Sequence, residues 1–246
     1  MKKVGFLLLI FCFQSSIFNW VNAQRQITTE RIEVTNRLDE KPDAEAMAIM
    51  AKYKPSVDSI IAPILGESLV GMSAGRPESL LSNWAADVMV EFSDFSDGKK
   101  ADLGIINVGG LRNNMPKGKV RRGDILLIAP FNNLLVVVSL KGSDLLSLFQ
   151  DIAAVGGEGV SHEVQLVITK DGKLTDAKVS GQPIDPERIY HIATLNYLAE
   201  GNDRLYSMKK AVKLDTSNLY TRDCLMQSIE RNKTITSKLE GRITVK

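Results

Sequence analysis

Two short stretches hold residue types suited to ligand chemistry. The first reads Gly104-Ile-Ile-Asn107-Val-Gly109-Gly110-Leu-Arg112, and further along comes Ala129-Pro130-Phe131-Asn132-Asn133. The apolar run from Leu103 to Ile106 predicts a buried strand that stops at Asn107. The two glycines allow a tight turn or a close approach of backbone to a ligand. Arg112 stands just past them, where a guanidinium can meet an anion with two parallel hydrogen bonds. Phe131 lies between a proline and two asparagines, a loop setting. A ring beside polar amides suits a flat ligand such as a nucleobase. Taken singly, each residue has a plain structural alternative: an exposed arginine, an asparagine capping a strand end, a ring packed in the core.

A third stretch, Thr194-Leu-Asn196-Tyr197-Leu-Ala-Glu-Gly201-Asn202-Asp203, completes a pattern. In order and internal spacing the three segments resemble the C-terminal domain of the 5′-nucleotidase family. There they read Asn-x-Gly-Gly-(Ile/Leu)-Arg, Pro-Phe-x-Asn and Thr-x-Asn-(Phe/Tyr)-x5-Asp. The resemblance implies that Phe131 and Tyr197 hold a base between two rings and that Asn133 reads its edge. It also implies that Asp203 accepts from ribose hydroxyls, that Arg112 lies near ribose and phosphates, and that Asn107 makes a polar contact. Base stacking is typically worth roughly 1–3 kcal/mol. Tyr197 stands where phenylalanine is commoner, and Asn202 where the family usually has glycine; asparagine tolerates a left-handed backbone. Family members often carry arginines ahead of Glu-x-x-x-Gly-Asn. Glu78 and Asn83 keep that spacing with Ser82 in place of the glycine, and Arg76 is one place off. Arg76 either reaches the pocket from a shifted turn or belongs to a solvated Gly75-Arg76-Pro77 turn.

In the family, hydrolysis takes place on a separate N-terminal metallophosphatase domain with two metal ions, which polarise the phosphate and supply a hydroxide nucleophile. This chain has two histidines, His162 and His191, and neither belongs to an Asp-x-His or Asn-His-Glu motif. Both are expected on strand faces. The resemblance therefore implies the recognition half of a 5′-nucleotidase, with no catalytic residue, metal or cofactor in this chain and divalent metals on a separate metallophosphatase chain. Nucleoside 5′-phosphates or related nucleotides are the expected ligands, and the chain alone is expected to be inactive. Two alternatives stand beside this: a stand-alone periplasmic nucleotide-binding module, and a structural remnant that binds nothing.

The chain has 246 residues, enough for one large domain or two small ones. Lys2 and Lys3, the apolar run 4–13 and Val21-Asn22-Ala23 have the pattern of a secretory signal over 1–23, giving an exported protein. Lipidation of Cys12 is not expected, because Ile10 and Phe11 precede it rather than small residues. No later stretch is apolar enough to span a bilayer. Without residues 1–23, which hold two lysines and no acid, 29 Lys and Arg face 29 Asp and Glu. That balance gives no footprint for nucleic acid or an anionic membrane. Cys224 is then the lone cysteine, which excludes an internal disulfide.

These residues need elements to hold them. A short strand is expected at 31–35. Asp43 caps a helix whose Met47, Met50, Tyr53, Val57, Ile60 and Ile64 form one apolar face, read as core packing, with Pro55 kinking or splitting it. A strand is expected at 68–74 and a helix from Ser79 to Phe92. The strand 134–140, almost all Val and Leu, is the clearest buried one. A helix capped by Ser143 runs to Ala154 and ends at Gly156, Gly157 and Gly159. Strands 163–169 and 174–179 turn at Asp171-Gly172. A strand 188–196 leads into the third motif, a helix covers 218–231 and a last strand 241–245. The expected fold class is α+β, mixed sheets layered with helices, with 24–39 as an extension and 40–246 as one 5′-nucleotidase C-terminal-like domain.

Overall fold

The computed structural model describes residues 28–95 and 98–246. The expected signal segment 1–23, with Cys12, lies outside the described residues. The chain divides into two compact units, Met1–Ala51 and Lys52–Lys246. In the first, residues 28–35 form no regular structure, so the strand expected at 31–35 is not there; the residues are exposed and pair with no neighbouring strand. A 3-10 turn covers Asn36–Glu40.

Helix α1, Ala44–Ile61, begins in the first unit and ends in the second. Asp43 caps it as expected, its Oδ1 accepting from the Ala46 N–H at 2.8 Å. Pro55 lies inside the helix and does not split it. The apolar face does not pack into a core: no residue of α1 is buried, and Met47, Met50, Tyr53, Val57 and Ile60 are all exposed. Helical spacing places apolar side chains on one face, but only a facing element can bury them. Ile64 leaves the helical stripe altogether and opens strand β1, Ile64–Ser68. The strand expected at 68–74 is thereby displaced: beyond Ser68 only Met72 pairs, in a single bridge to Met115. The Ser68 hydroxyl bonds to the Val70 carbonyl and turns the chain there.

The second unit continues with α2, Leu80–Glu91, capped by Ser79 and burying Leu81, Trp84 and Val88 as expected. Then come β2, Leu103–Ile106, β3, Gly118–Arg121, and the short α3, Arg122–Ile128. Strand β4, Leu134–Lys141, is buried from Leu135 to Leu140, so both its faces are covered. Helix α4, Gly142–Ala154, starts one residue ahead of the expected cap, with Lys141 rather than Ser143 at the cap position. Strands β5, Gly159–Val160, β6, Val164–Ile168, β7, Leu174–Val179, and β8, Gln182–Pro183, follow. Strand β9, Ile189–Leu195, runs into a single helical turn, α5, Asn196–Ala199. Strand β10, Lys213–Tyr220, precedes α6, Thr221–Asn232, and β11, Thr234–Ile235, and β12, Ile243–Val245, end the chain.

Among the described residues three sheets result, in the orders β11-β1-β3, β10-β4-β9-β2-β5 and β12-β6-β7-β8. The five-stranded sheet positions the motifs. Strand β2 pairs parallel to β9, Leu103 opposite Ile192, and β4 pairs antiparallel to β9, Leu135 opposite Leu195. The ends of β2 and β9 and the start of β4 therefore meet at one edge. Helix α2 lies on β2, β5 and β9. Its close approach needs Gly104: a Cβ there would stand 2.4 Å from the Ala86 carbonyl oxygen and 2.9 Å from Val90 Cγ2. Backbone cannot yield as a flexible side chain can. Gly104→Ala is expected to lower stability by about 1–3 kcal/mol, read as a lower urea midpoint at an unchanged m-value.

Candidate functional site

All six residues singled out in the motifs line one cavity of about 330 Å³ at that sheet edge: Asn107, Arg112, Phe131, Asn133, Tyr197 and Asp203, together with Gly109 and Gly110. Asn107 follows β2 and caps a 3-10 turn over Val108–Gly110. Phe131 and Asn133 come from the loop entering β4. The Asn133 carbonyl is held by Thr221 at the start of α6, through its N–H at 2.8 Å and its hydroxyl at 3.1 Å. Asn196 ties two motifs together, its Oδ1 accepting from the Leu134 N–H at 2.9 Å. Both rings remain open to solvent, Phe131 by 47% and Tyr197 by 38%. Exposed rings facing a cavity are unusual in a core and suited to stacking.

Asp203 collects the polar contacts. Its Oδ2 accepts from Asn107 Nδ2 at 2.5 Å, and its Oδ1 accepts from the Tyr197 hydroxyl at 3.0 Å. An ionised carboxylate can only accept, so the amide of Asn107 must turn its NH₂ group toward Asp203. That leaves Asn107 Oδ1 buried with no hydrogen-bond partner. An unpaired buried acceptor costs free energy until a donor reaches it. Gly110 packs against this amide so closely that a Cβ would stand 2.5 Å from Oδ1. The bond to Asp203 also raises the pKa of Tyr197, since ionising the phenol would break it and set two anions together.

The turn after Tyr197 keeps its shape by other means than expected. Gly201, Asp203 and Arg204 take positive φ, while Asn202 does not and instead donates from Nδ2 to the Tyr197 carbonyl at 2.8 Å. Arg112 stands at the exposed rim, donating to the Gly109 carbonyl at 3.2 Å. Arg76 does not line this cavity. Its guanidinium pairs with the buried Glu158, and its Nε donates to the Gly157 carbonyl at 2.7 Å. Glu78 and Asn83 bind each other and clasp the chain near its end: Glu78 accepts from the Glu240 and Gly241 N–H groups, and Asn83 donates to the Lys238 carbonyl. His191 sits on β9 opposite Ser139, with Nδ1 3.0 Å from its hydroxyl. His162 lies outside the strands, in a turn beside Asp87 and Glu163.

Sequence reasoning missed Glu158. Its signal was a charged residue among Gly156, Gly157 and Gly159, read only as a helix end. Its carboxylate accepts from the Val108 N–H at 2.5 Å, directly behind the Asn107–Gly110 turn. Among the described residues no cluster of three His, Cys, Asp or Glu side chains stands where it could hold a metal, and no helix is long and apolar enough to cross a membrane.

The fold is an α+β domain with a cavity at the end of its mixed five-stranded sheet. The sequence matches the family described as 5′-nucleotidase, C-terminal domain, over residues 64–211, and the chain belongs to that family. It is 31% identical over 173 residues to the endonuclease YhcR of Bacillus subtilis, which covers 68% of this chain and 14% of that protein. It is 32% identical over 107 residues to protein UshA of Escherichia coli, covering 42% of this chain and 19% of the relative. Among solved structures, the 5′-nucleotidase precursor of Thermus thermophilus superposes with a TM-score of 0.72 at 24% identity, over 81% of this chain and 42% of that one. The chain thus spans less than half the length of each.

Burial pushes the Glu158 carboxyl above its ordinary value near 4.5; the Val108 N–H and Arg76 pull it down, and the Asp203 carboxylate adds to the rise. The native state therefore holds this proton more tightly than the unfolded chain. The group's contribution to stability is full below pH 4.5 and is lost as pH rises through the native value. Glu158→Gln is expected to flatten this fall, seen as a shallower decline of melting temperature from pH 4.5 upward than in the wild type.

Proposed function

We propose that this chain is the nucleotide-recognition part of an exported 5′-nucleotidase-type phosphohydrolase, working with a separately encoded two-metal metallophosphatase chain in nucleotide catabolism. The single observation that supports it best is the cavity where two exposed rings, the Asp203 carboxylate and a guanidinium converge. In this reading Phe131 and Tyr197 stack on the two faces of the base, and Asn133 reads its edge. Asp203 accepts from the ribose hydroxyls, and one of those hydroxyls can serve the unpaired Asn107 Oδ1. Arg112 at the rim directs the phosphate outward, toward metals held by the partner, which would polarise the phosphate and supply the nucleophile. The basic, then apolar, then small-residue pattern over residues 1–23 supports export.

Phosphate release from AMP with added divalent metal tests the division of labour. Release is expected from the mixture with the metallophosphatase chain and not from this chain alone. Equal release with and without this chain overturns the proposal, and nucleotide binding with no effect on any phosphatase would favour a stand-alone binding module. Phe131→Ala is expected to weaken AMP binding to this chain by about 5- to 150-fold, the loss of one stacking face worth roughly 1–3 kcal/mol. Calorimetric titration reads that change, and an unchanged affinity would remove Phe131 from the site.

A further inference from the structure

The side chain of Glu158 is fully buried, 0% exposed, at the entrance to β5. Strand β5 pairs antiparallel with β2, Ile106 opposite Gly159. That register carries Glu158 to the back of the Asn107–Gly110 turn. One carboxylate oxygen, Oε2, accepts from the Val108 N–H, and the other, Oε1, is paired with the Arg76 guanidinium. The Arg76 side chain is 40% exposed and is fixed a second time by the Gly157 carbonyl. On the front of the same turn, Asp203 holds the Asn107 amide. The turn is thus gripped from two sides by two carboxylates, one on its backbone and one on its side chain.

Burying the Glu158 carboxylate is a poor device for stability alone, because its desolvation offsets much of its attraction to the half-exposed Arg76. An apolar residue of similar size would serve the core as well. What it could not do is accept from the Val108 N–H, which would be left unpaired beside the cavity. Charge-assisted bonds to backbone N–H groups are short and directional, so they fix a turn closely. The Arg76 charge opposes the desolvation of the buried carboxylate and so favours its accepting form.

We propose that Glu158, with Arg76 as its counter-ion, is a positioning residue for nucleotide binding: it locks the 107–110 turn so that Asn107 Oδ1 and the two glycines meet the ligand in fixed geometry. This rests on the nucleotide reading given above. The test measures binding of AMP, GMP, CMP and UMP to the full chain by calorimetry, with amide hydrogen exchange of Val108 in the unliganded protein. Glu158→Gln keeps the shape but turns an NH₂ group against one of two donors. It is expected to weaken the best-bound nucleotide about tenfold or more, the scale of a lost hydrogen bond to a charged group, and to speed Val108 exchange while the global unfolding midpoint at neutral pH stays close to wild type.

Arg76→Gln, at a half-exposed position, is expected to weaken binding in the same direction. Arg76→Lys, which returns the charge, is expected to recover most of the loss. A purely structural role would move the midpoint and not the affinity of the folded protein, and that result overturns the proposal. A wild type that binds nucleotide and a Glu158→Gln variant that binds equally well, with unchanged Val108 exchange, overturns the positioning role alone. A wild type that binds none of the four nucleotides overturns the nucleotide reading and this role with it.

Discussion

The parallel pairing of β2 with β9 is the constraint on which the cavity depends. Parallel neighbours end at the same edge, and the antiparallel β4 between β9 and β10 must begin where they end. Three motifs separated by tens of residues in the chain therefore become neighbours without any loop having to travel far. The pairing itself rests on close contact between β2 and α2 through Gly104. A parallel pair also needs both faces covered, and the burial of all four residues of β2 shows that they are.

The cavity side chains are arranged as a frustrated set rather than a satisfied one. Asp203 accepts from Asn107 and Tyr197, which fixes the amide and leaves its oxygen without a donor. Two rings stay exposed at the cavity. Groups left unpaired at the end of a rigid sheet favour a ligand that brings both donors and a flat apolar face. Glu158 adds firmness from behind, since the turn carrying Asn107 is held by its backbone as well as by its side chain.

Much of this was legible in the sequence, and the reasons for the rest are physical. The resemblance of three motifs to the family pattern pointed to the six cavity residues, and it could do so because each motif is local: a strand end, a turn, a loop before a strand. Runs such as Leu135 to Leu140 announced themselves because they are buried on both faces. Strand β10 went unread because Lys213 to Tyr220 is mostly polar, and nothing in its composition separates it from a loop. The face of α1 was read as core because periodicity reports which residues share a face and not what covers it. Glu158 was missed for a related reason: its partners are distant in sequence, Val108 brought to it by the β2–β5 register and Arg76 by the loop ahead of α2.

The polar strand that escaped notice also bears on which backbone groups of the sheet stand open. Strand β10 is one margin of the five-stranded sheet, and the two-residue β5 is the other. An open margin offers a row of unpaired backbone groups to any passing chain. Here one margin carries exposed Lys213, Thr216 and Asn218 with Lys213 bridged to Asp215, and the other is too short to template an added strand. Lys213 and Asp215 thus put charge on either side of the exposed Leu214 along the longer margin, the short β5 offers little backbone to pair with, and the cavity lies away from both margins, where the strands end.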